Sequence, residues 1–254
     1  MATTLHPSDF AVATASIVGG GRLGRVLTRA LGAAGIGVNG PSGRGERVEP
    51  ADVVLLCVPD GEIAAVARSL SGSDRLVGHV SGATPLAAFE VDFGLHPLQS
   101  FVGDESPDVF HGIGCAVAGR SPESLAVAEE LAIRLGARPF PISDEQRAGY
   151  HAAASIASNF LVTLMAAAEQ VAEVAGIPPA DARALLAPLV RSTVENWAAI
   201  GPEAALTGPV ARGDVLTVRR QRAAVAVGSP DLLELFDALC ASALALAEKG
   251  RSAA

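Results

Sequence analysis

Two groups of residues could do chemistry by their type and spacing. The first is Gly19, Gly21 and Gly24, a G-x-G-x-x-G that encloses Arg22 and Leu23. A short β-branched run, Ile17-Val18, leads into it, and an apolar helical pattern (Leu23, Val26, Leu27, Ala30, Leu31) leaves it. In such a strand, turn and helix, the first glycine permits the tight turn. The second lets the backbone approach a diphosphate, and the third lets the helix pack close on the strand. Unpaired amides at the helix start then attract an anion, helped by the positive end of the helix dipole. In a chain with 27 glycines, a turn without a ligand is the alternative. The second group is His151, Ser155, Ser158 and Asn159, spaced i, i+4, i+7 and i+8 among Ala152, Ala153, Ile156, Phe160 and Leu161. That spacing puts them on one side of a helix. A buried unpaired polar group costs about 1–3 kcal/mol, so the stripe must be hydrogen-bonded or face a wet cleft. His151 is then either a proton carrier, since imidazole titrates near neutrality, or a member of an interhelical hydrogen-bond network.

Two more candidates lie outside these groups. His96, in Gly94-Leu-His-Pro-Leu-Gln-Ser-Phe101, is expected in a loop after an apolar strand, stiffened by Pro97, where it contacts a substrate or only orders the loop. Arg212, in Thr207-Gly-Pro-Val-Ala-Arg-Gly-Asp214, either grips a substrate carboxylate in a two-pronged contact or pairs with Asp214. His6, His79 and His111 read as incidental. Cys57, Cys115 and Cys240 are odd in number, widely spaced and set in apolar runs, which suits buried thiols in a reducing cytoplasm. Neither the cysteines nor the histidines offer a metal-ligand spacing, so no metal is expected.

The elements that must position these groups follow from the apolar pattern. Residues 1–13 read as a tail without the basic and apolar segments of a signal peptide. Ile36–Asn39 reads as a second strand completing a βαβ unit. An acid about 20 residues beyond the glycines would mark an NAD-type ribose contact, but Asn39-Gly-Pro-Ser-Gly-Arg44 holds none before Glu46. Ser42 and Arg44, with Arg47, suit a 2′-phosphate instead, because a guanidinium offers paired donors in a planar fork. NADP is therefore expected rather than NAD; the alternative is that Arg44 is a solvated loop residue. Asp52–Val58 is an uninterrupted apolar run of the kind a doubly buried parallel strand requires. Pro59-Asp60 ends it, and a helix follows to Leu70. Leu76–Val80 reads as a strand ending at Ser81-Gly82, then come a strand over Gly112–Ala118 and a helix over Pro122–Leu135. Ligands of an open α/β sheet sit beyond the carboxyl ends of its strands, which gathers Gly20, Asn39, Val58, Pro59, Ser81 and His96 around one crevice.

The pattern then turns helical. Ser143-Asp-Glu-Gln146 has the form of a capping box, and no breaker appears before Gly176, predicting one helix of roughly thirty residues, about 45 Å long. Helices over Pro179–Ala199, to about Val227 and over Ser229–Glu248 are expected after it, with a break at Gly201-Pro202. The expected architecture is a Rossmann-like α/β parallel-sheet domain over residues 1–143 followed by an all-α domain over 144–254. Ala152–Ala168 approaches the length of a membrane span, yet Ser155, Ser158, Asn159 and Thr163 and the lack of a basic flank predict the buried helix of a soluble protein. A net charge of -8 and a pI near 5.1 argue against nucleic acid and against an anionic membrane.

Taken together, the glycine turn with Asn39–Arg44, Cys57-Val-Pro-Asp60, Val80-Ser-Gly82, Gly94–Phe101, His151–Asn159 and Thr207–Asp214 resemble one family. Its members are proposed oxidoreductases that join a Rossmann-like domain to a C-terminal helical domain of unknown function. They are grouped with 6-phosphogluconate dehydrogenase-like enzymes such as ketopantoate reductase and pyrroline-5-carboxylate reductase. The resemblance implies a cytoplasmic NADPH-dependent reductase of a small 2-keto acid or related carbonyl or imine, with a ketopantoate-reducing step as one instance. His151 would donate the proton, Asn159 and Ser155 would hold the oxyanion, Arg212 would hold a carboxylate, and His96 would shape the mouth. Relatives commonly pair through the helical domain, and Leu185, Leu186, Leu189, Trp197, Leu232, Leu235, Phe236 and Leu239 would supply such a homodimer face. Ketone reductases of this superfamily carry a lysine on the long helix, and this helix has none. A non-catalytic NADP-binding sensor or scaffold is accordingly the second expectation.

Overall fold

The computed structural model describes residues 12–72, 75–87, 89 and 91–253. Residues 1–11 of the expected tail, His6 among them, lie outside the described residues. The chain forms two compact units, one ending at Ser158 and the next beginning at Asn159.

The first unit is a seven-stranded sheet in the order β2-β1-β3-β4-β5-β6-β7. Its strands are β1 (Thr14–Val18), β2 (Gly37–Ser42), β3 (Val53–Leu56), β4 (Leu76–His79), β5 (Phe93–Pro97), β6 (Gly114–Gly119) and β7 (Arg138–Pro141). All pairings are parallel except β5 with β6. Strand residues alternate in direction, so a strand covered on both faces must be apolar throughout. In β3, Val53 and Leu55 join a core with Leu27 and Leu31 of α1 (Arg22–Ala33) and Leu131 of α3 (Pro122–Arg134). Val54 and Leu56 join a second core with Ile63 and Ala67 of α2 (Asp60–Ser69). The result is a sheet between two helical layers, the Rossmann-like arrangement expected. The chain leaves β1 to one side for β2 and returns to the other for β3, so the crevice beyond these strands is a topological switch point, the place where open α/β sheets in general bind ligands.

Three local expectations need correction. His96 is the fourth residue of β5, not part of a loop after it. β7, which the sequence reading lacked, contains two prolines in Arg138-Pro-Phe-Pro141. Proline is tolerated there because β7 is an edge strand with only one ladder to satisfy, as is β2 with its Pro41. The single long helix is instead α4 (Arg147–Ala157) and α5 (Asn159–Val174), broken at Ser158 with φ -120° and ψ -75°. Serine and asparagine offer the backbone competing local hydrogen bonds and are weak helix formers, which explains a break at Ser158-Asn159. Of the capping box, the Gln146 half forms: its Oε1 accepts from the Ser143 amide at 2.9 Å. An 18-residue window within Arg147–Val174 is long and apolar enough for a membrane span, with a mean hydropathy of 1.4, and none of it is buried, so the stretch is not the buried helix expected. Its first residue, however, is spent in an ion pair with Asp144.

The compact units also divide later than residue 143. Asp144 accepts from the amides of Leu86 and Ala87 at 2.9 and 3.1 Å, and Arg147 donates to the Ser81 carbonyl at 3.3 Å. These bonds hold the start of α4 to the sheet.

The second unit contains α5, α6 (Pro179–Ala205), α7 (Val215–Gly228) and α8 (Leu233–Ala253). The break expected at Gly201-Pro202 is present, with Gly201 at φ +79° inside α6. A Cβ on Gly228 would lie 2.4 Å from Val174, so this glycine lets α7 approach α5 closely. Bidentate pairs, Arg183 with Glu169 and Arg222 with Asp237, tie helices at the surface. Leu185, Leu189 and Trp197 of α6 remain 64%, 64% and 56% exposed.

Candidate functional site

The glycine turn is built by exclusion. Gly19 has φ +106°, and a Cβ there would sit 2.3 Å from the Cys57 carbonyl oxygen. A Cβ on Gly24 would sit 2.0 Å from the Gly19 carbonyl oxygen. Neither position admits another residue, because α1 and the end of β3 press on the turn from both sides. Gly21 differs: its φ is an ordinary -66°, and nothing lies within 4 Å of where its Cβ would be. It is the N-cap of α1, yet no side chain caps the helix and no acid occupies its first turn. In contrast, Ser121 caps α3 and Asp214 caps α7. The first turn of α1 is therefore without a side-chain cap, beside the empty Cβ direction of Gly21. Arg25 steadies the turn by donating to the Gly20 carbonyl at 2.9 Å.

The neighbouring residues divide between framing and free groups. The Ser42 carbonyl accepts from the Gly19 amide at 2.9 Å, which brings the end of β2 beside the turn. Asn39 is spent on structure, donating to Ser16 and to the Pro50 carbonyl. Arg44 pairs with Glu62, but its side chain is 83% exposed, and such a surface pair is worth little. Val58 packs against Gly19, and Pro59 precedes α2. Ser81 is also committed. Its hydroxyl accepts from the Ala83 and Thr84 amides at 3.2 and 3.0 Å and has its single proton to share between Asp60 and the Thr84 hydroxyl, both 2.9 Å away.

Two imidazoles meet at Gly82. A Cβ on this residue would lie 2.9 Å from both His96 Nε2 and His151 Nδ1. The rings stand 6.2 Å apart, nearly perpendicular. His96 Nδ1 lies 2.6 Å from the hydroxyl of Tyr150, the chain's single tyrosine. Burial, then the charges of His151 and Arg147, push His96 down to about 4, with Asp60 opposing. The imidazole is accordingly neutral at pH 7. Ser155 lies one turn beyond His151 on α4, half-buried. Asn159 and Arg212 belong to the second unit. There Asn159 is exposed and accepts from Thr163 through its carbonyl. Asp214 caps α7, the alternative of an Arg212–Asp214 ion pair is not realised, and the Arg212 side chain makes no hydrogen bond or ion pair among the described residues, while its amide donates to the Gly208 carbonyl at 3.2 Å.

Beneath the imidazoles lie groups that the sequence concealed. His79, read as incidental, is fully buried in β4, and its Nδ1 accepts from the Ser81 amide at 3.1 Å. Arg147 is 2% exposed, donates to Asp144 and Ser81, and leaves Nη2 unpartnered against Gly94. Burial first, then the Arg147 charge, push His79 down to about 4. The sign follows directly. Above pH 6.5 His79 is neutral in both states; as pH falls from 6.5 to about 4 only the unfolded chain takes up the proton, so stability is lost across that window. The expected loss is roughly 3 kcal/mol, levelling off below the folded value. Urea unfolding at pH 7 and pH 4.5 checks this, and His79→Gln should remove that share of the dependence while leaving the share of His96, which burial also pushes down to about 4.

Comparison with known proteins places this arrangement. Residues 113–243 match the family model "Domain of unknown function (DUF2520)". The chain belongs to this family. Among solved structures, a proposed NADP oxidoreductase from Bacteroides fragilis is similar at 22% identity and a TM-score of 0.77, covering 92% of this chain and 98% of that one. A protein from Thermotoga maritima is 25% identical with a TM-score of 0.76, over 93% and 99% of the two chains. A Plasmodium falciparum pyrroline carboxylate reductase with NADP bound is 11% identical with a TM-score of 0.58, over 93% and 98%. No curated protein matches the chain. The glycine turn fits a dinucleotide on its own geometry, since a Cβ at Gly21 would occupy the open space before uncapped amides.

Proposed function

We propose that the protein is a cytoplasmic NADP-dependent reductase of a small ketone, 2-keto acid or cyclic imine. The observation that carries this reading is the convergence of His96 and His151 on Gly82, in the same row of strand ends as the uncapped glycine turn. From β1 to β5 that row spans three strand spacings, about 14 Å. The amides of Gly21, Arg22 and Leu23 would hold the pyrophosphate, and Ser42 and Arg44 the 2′-phosphate, with Arg44 leaving its exposed partner Glu62. When bound, NADPH supplies a hydride. The protein's own part is to keep that end of the crevice polar and to deliver a proton to the atom that has become negative. The imidazole pair supplies the proton, a contribution worth about 10²–10⁴ in rate for a well-placed acid.

The test is NADPH oxidation against a panel of 2-keto acids and cyclic imines, ketopantoate first. One compound should be turned over, and His151→Ala should lower kcat far more than NADPH affinity. Equal loss of both would assign His151 a structural role. NADPH binding without oxidation of any compound would favour the sensor reading, which the absence of a lysine over residues 147–174 supports.

We further propose that two copies pair through the second unit. The exposed Leu185, Leu189 and Trp197 form the kind of apolar surface that soluble chains cover by association. Gel filtration should give a dimer, and a monomer at all concentrations would contradict it.

A further inference from the structure

His96 presents two unlike edges. Nδ1 is engaged by the Tyr150 hydroxyl at 2.6 Å, while Nε2 has no hydrogen-bond partner among the described residues and, unlike His79 Nε2 and Arg147 Nη2, is not sealed from solvent. The two ring groups are packed in place: His96 meets Tyr150 edge to face at 5.5 Å, and Tyr150 meets Phe140 at 5.8 Å. Ionisable groups acting on His96 are His151 and Arg147 from α4 and Asp60 from the start of α2; those acting on Tyr150 are Cys115 from β6 and Arg147. Burial drives His96 down to about 4 and raises Tyr150 to about 12. At neutral pH almost no imidazolium exists to act as an acid. A neutral imidazole, however, has one N–H and one lone pair, so it can release a proton at one nitrogen while accepting at the other.

We propose that Tyr150 and His96 form a proton relay, in which Tyr150 is the proton source and His96 Nε2 is the donor to substrate. The Nε2–H bond breaks as an O–H bond forms on the substrate oxygen, which the C=O electron pair has left negative once hydride bonds to the carbonyl carbon. The Tyr150 O–H bond breaks as Nδ1–H forms, and the phenolate left behind regains its proton from water. No electrons are exchanged within the relay, and the direction is downhill because an alkoxide is more basic than a phenolate. The substrate step rests on the reductase reading, whereas the wiring belongs to the protein alone.

Ring-nitrogen NMR of the full chain, with His96 assigned by its loss in His96→Gln, reads that wiring directly. Between pH 5.5 and 9 the wild type should hold His96 neutral with the proton on Nε2, and Tyr150→Phe should release that preference into a mixture of tautomers. A proton on Nδ1 in the wild type, or tautomers unchanged in Tyr150→Phe, overturns the relay. With a reducible carbonyl in hand, Tyr150→Phe should bind NADPH normally but lose kcat by about tenfold per pH unit above pH 5, because only imidazolium could then donate. A profile as flat as the wild type's would overturn it. Should no carbonyl be reduced, the reductase reading falls while the nitrogen pattern still decides the wiring.

Discussion

A Gly21→Val protein should fold with a loss of no more than about 1 kcal/mol and bind NADPH at least about a hundredfold more weakly. The two halves of this expectation have separate causes. The fold tolerates the change because the Gly21 backbone is at φ -66° and ψ -174° and its Cβ direction is empty. A small term remains, since valine is a poorer N-cap than glycine. Binding fails because the branched side chain fills the space in which a pyrophosphate would meet the first amides of α1. Gly24→Ala is the contrasting change. Its Cβ would fall 2.0 Å from the Gly19 carbonyl oxygen, so α1 cannot dock and the fold itself suffers. Thermal unfolding alongside NADPH fluorescence titration separates the outcomes, and wild-type affinity in Gly21→Val would place the phosphates elsewhere.

Asp144→Ala should destabilise the protein by on the order of 3 kcal/mol, the cost of stranding a buried charge. Its carboxylate accepts from the Leu86 and Ala87 amides and from Arg147 Nε at 3.0 Å, and Arg147 is almost wholly inside. Burial raises the Asp144 pKa, but those three donors outweigh it and hold the carboxyl below the ordinary range. Its stabilising contribution is therefore complete above the unfolded pKa and is lost as pH falls through the depressed folded value. Arg147→Met in the Asp144→Ala background should recover part of the loss, because the two residues share one interaction. Denaturant midpoints for the two single variants and the double variant measure this. Strict additivity would mean that the pair is not coupled.

The sheet was legible because its physics is local. Val53-Val-Leu-Leu56 can satisfy alternating directions only between two apolar layers, and Ile17-Val18 running into Gly19 requires a turn that no side chain could enter. What stayed hidden depends on partners distant in sequence. β7 went unassigned because nothing in Arg138–Pro141 announces that it lies at an edge with one neighbour, where two prolines are tolerated. Arg147 gave no signal in the sequence because Ser81 and Gly94, which enclose it, lie more than fifty positions upstream, just after β4 and in β5. The Tyr150–His96 contact spans 54 positions, so nothing near Tyr150, the chain's single tyrosine, announces it. Gly82 was seen only as a strand ending. Its smallness, which admits two imidazoles, appears once β4, β5 and α4 are assembled.

The central claim is that the glycine turn holds a dinucleotide whose reducing end lies beside the histidine pair. A crystal structure of the full chain with NADPH tests it most directly. The account predicts the pyrophosphate on the amides of Gly21, Arg22 and Leu23 and the nicotinamide ring at Gly82, within reach of His96 Nε2. Density for NADPH away from that turn, or a nicotinamide turned from both imidazoles, would contradict it.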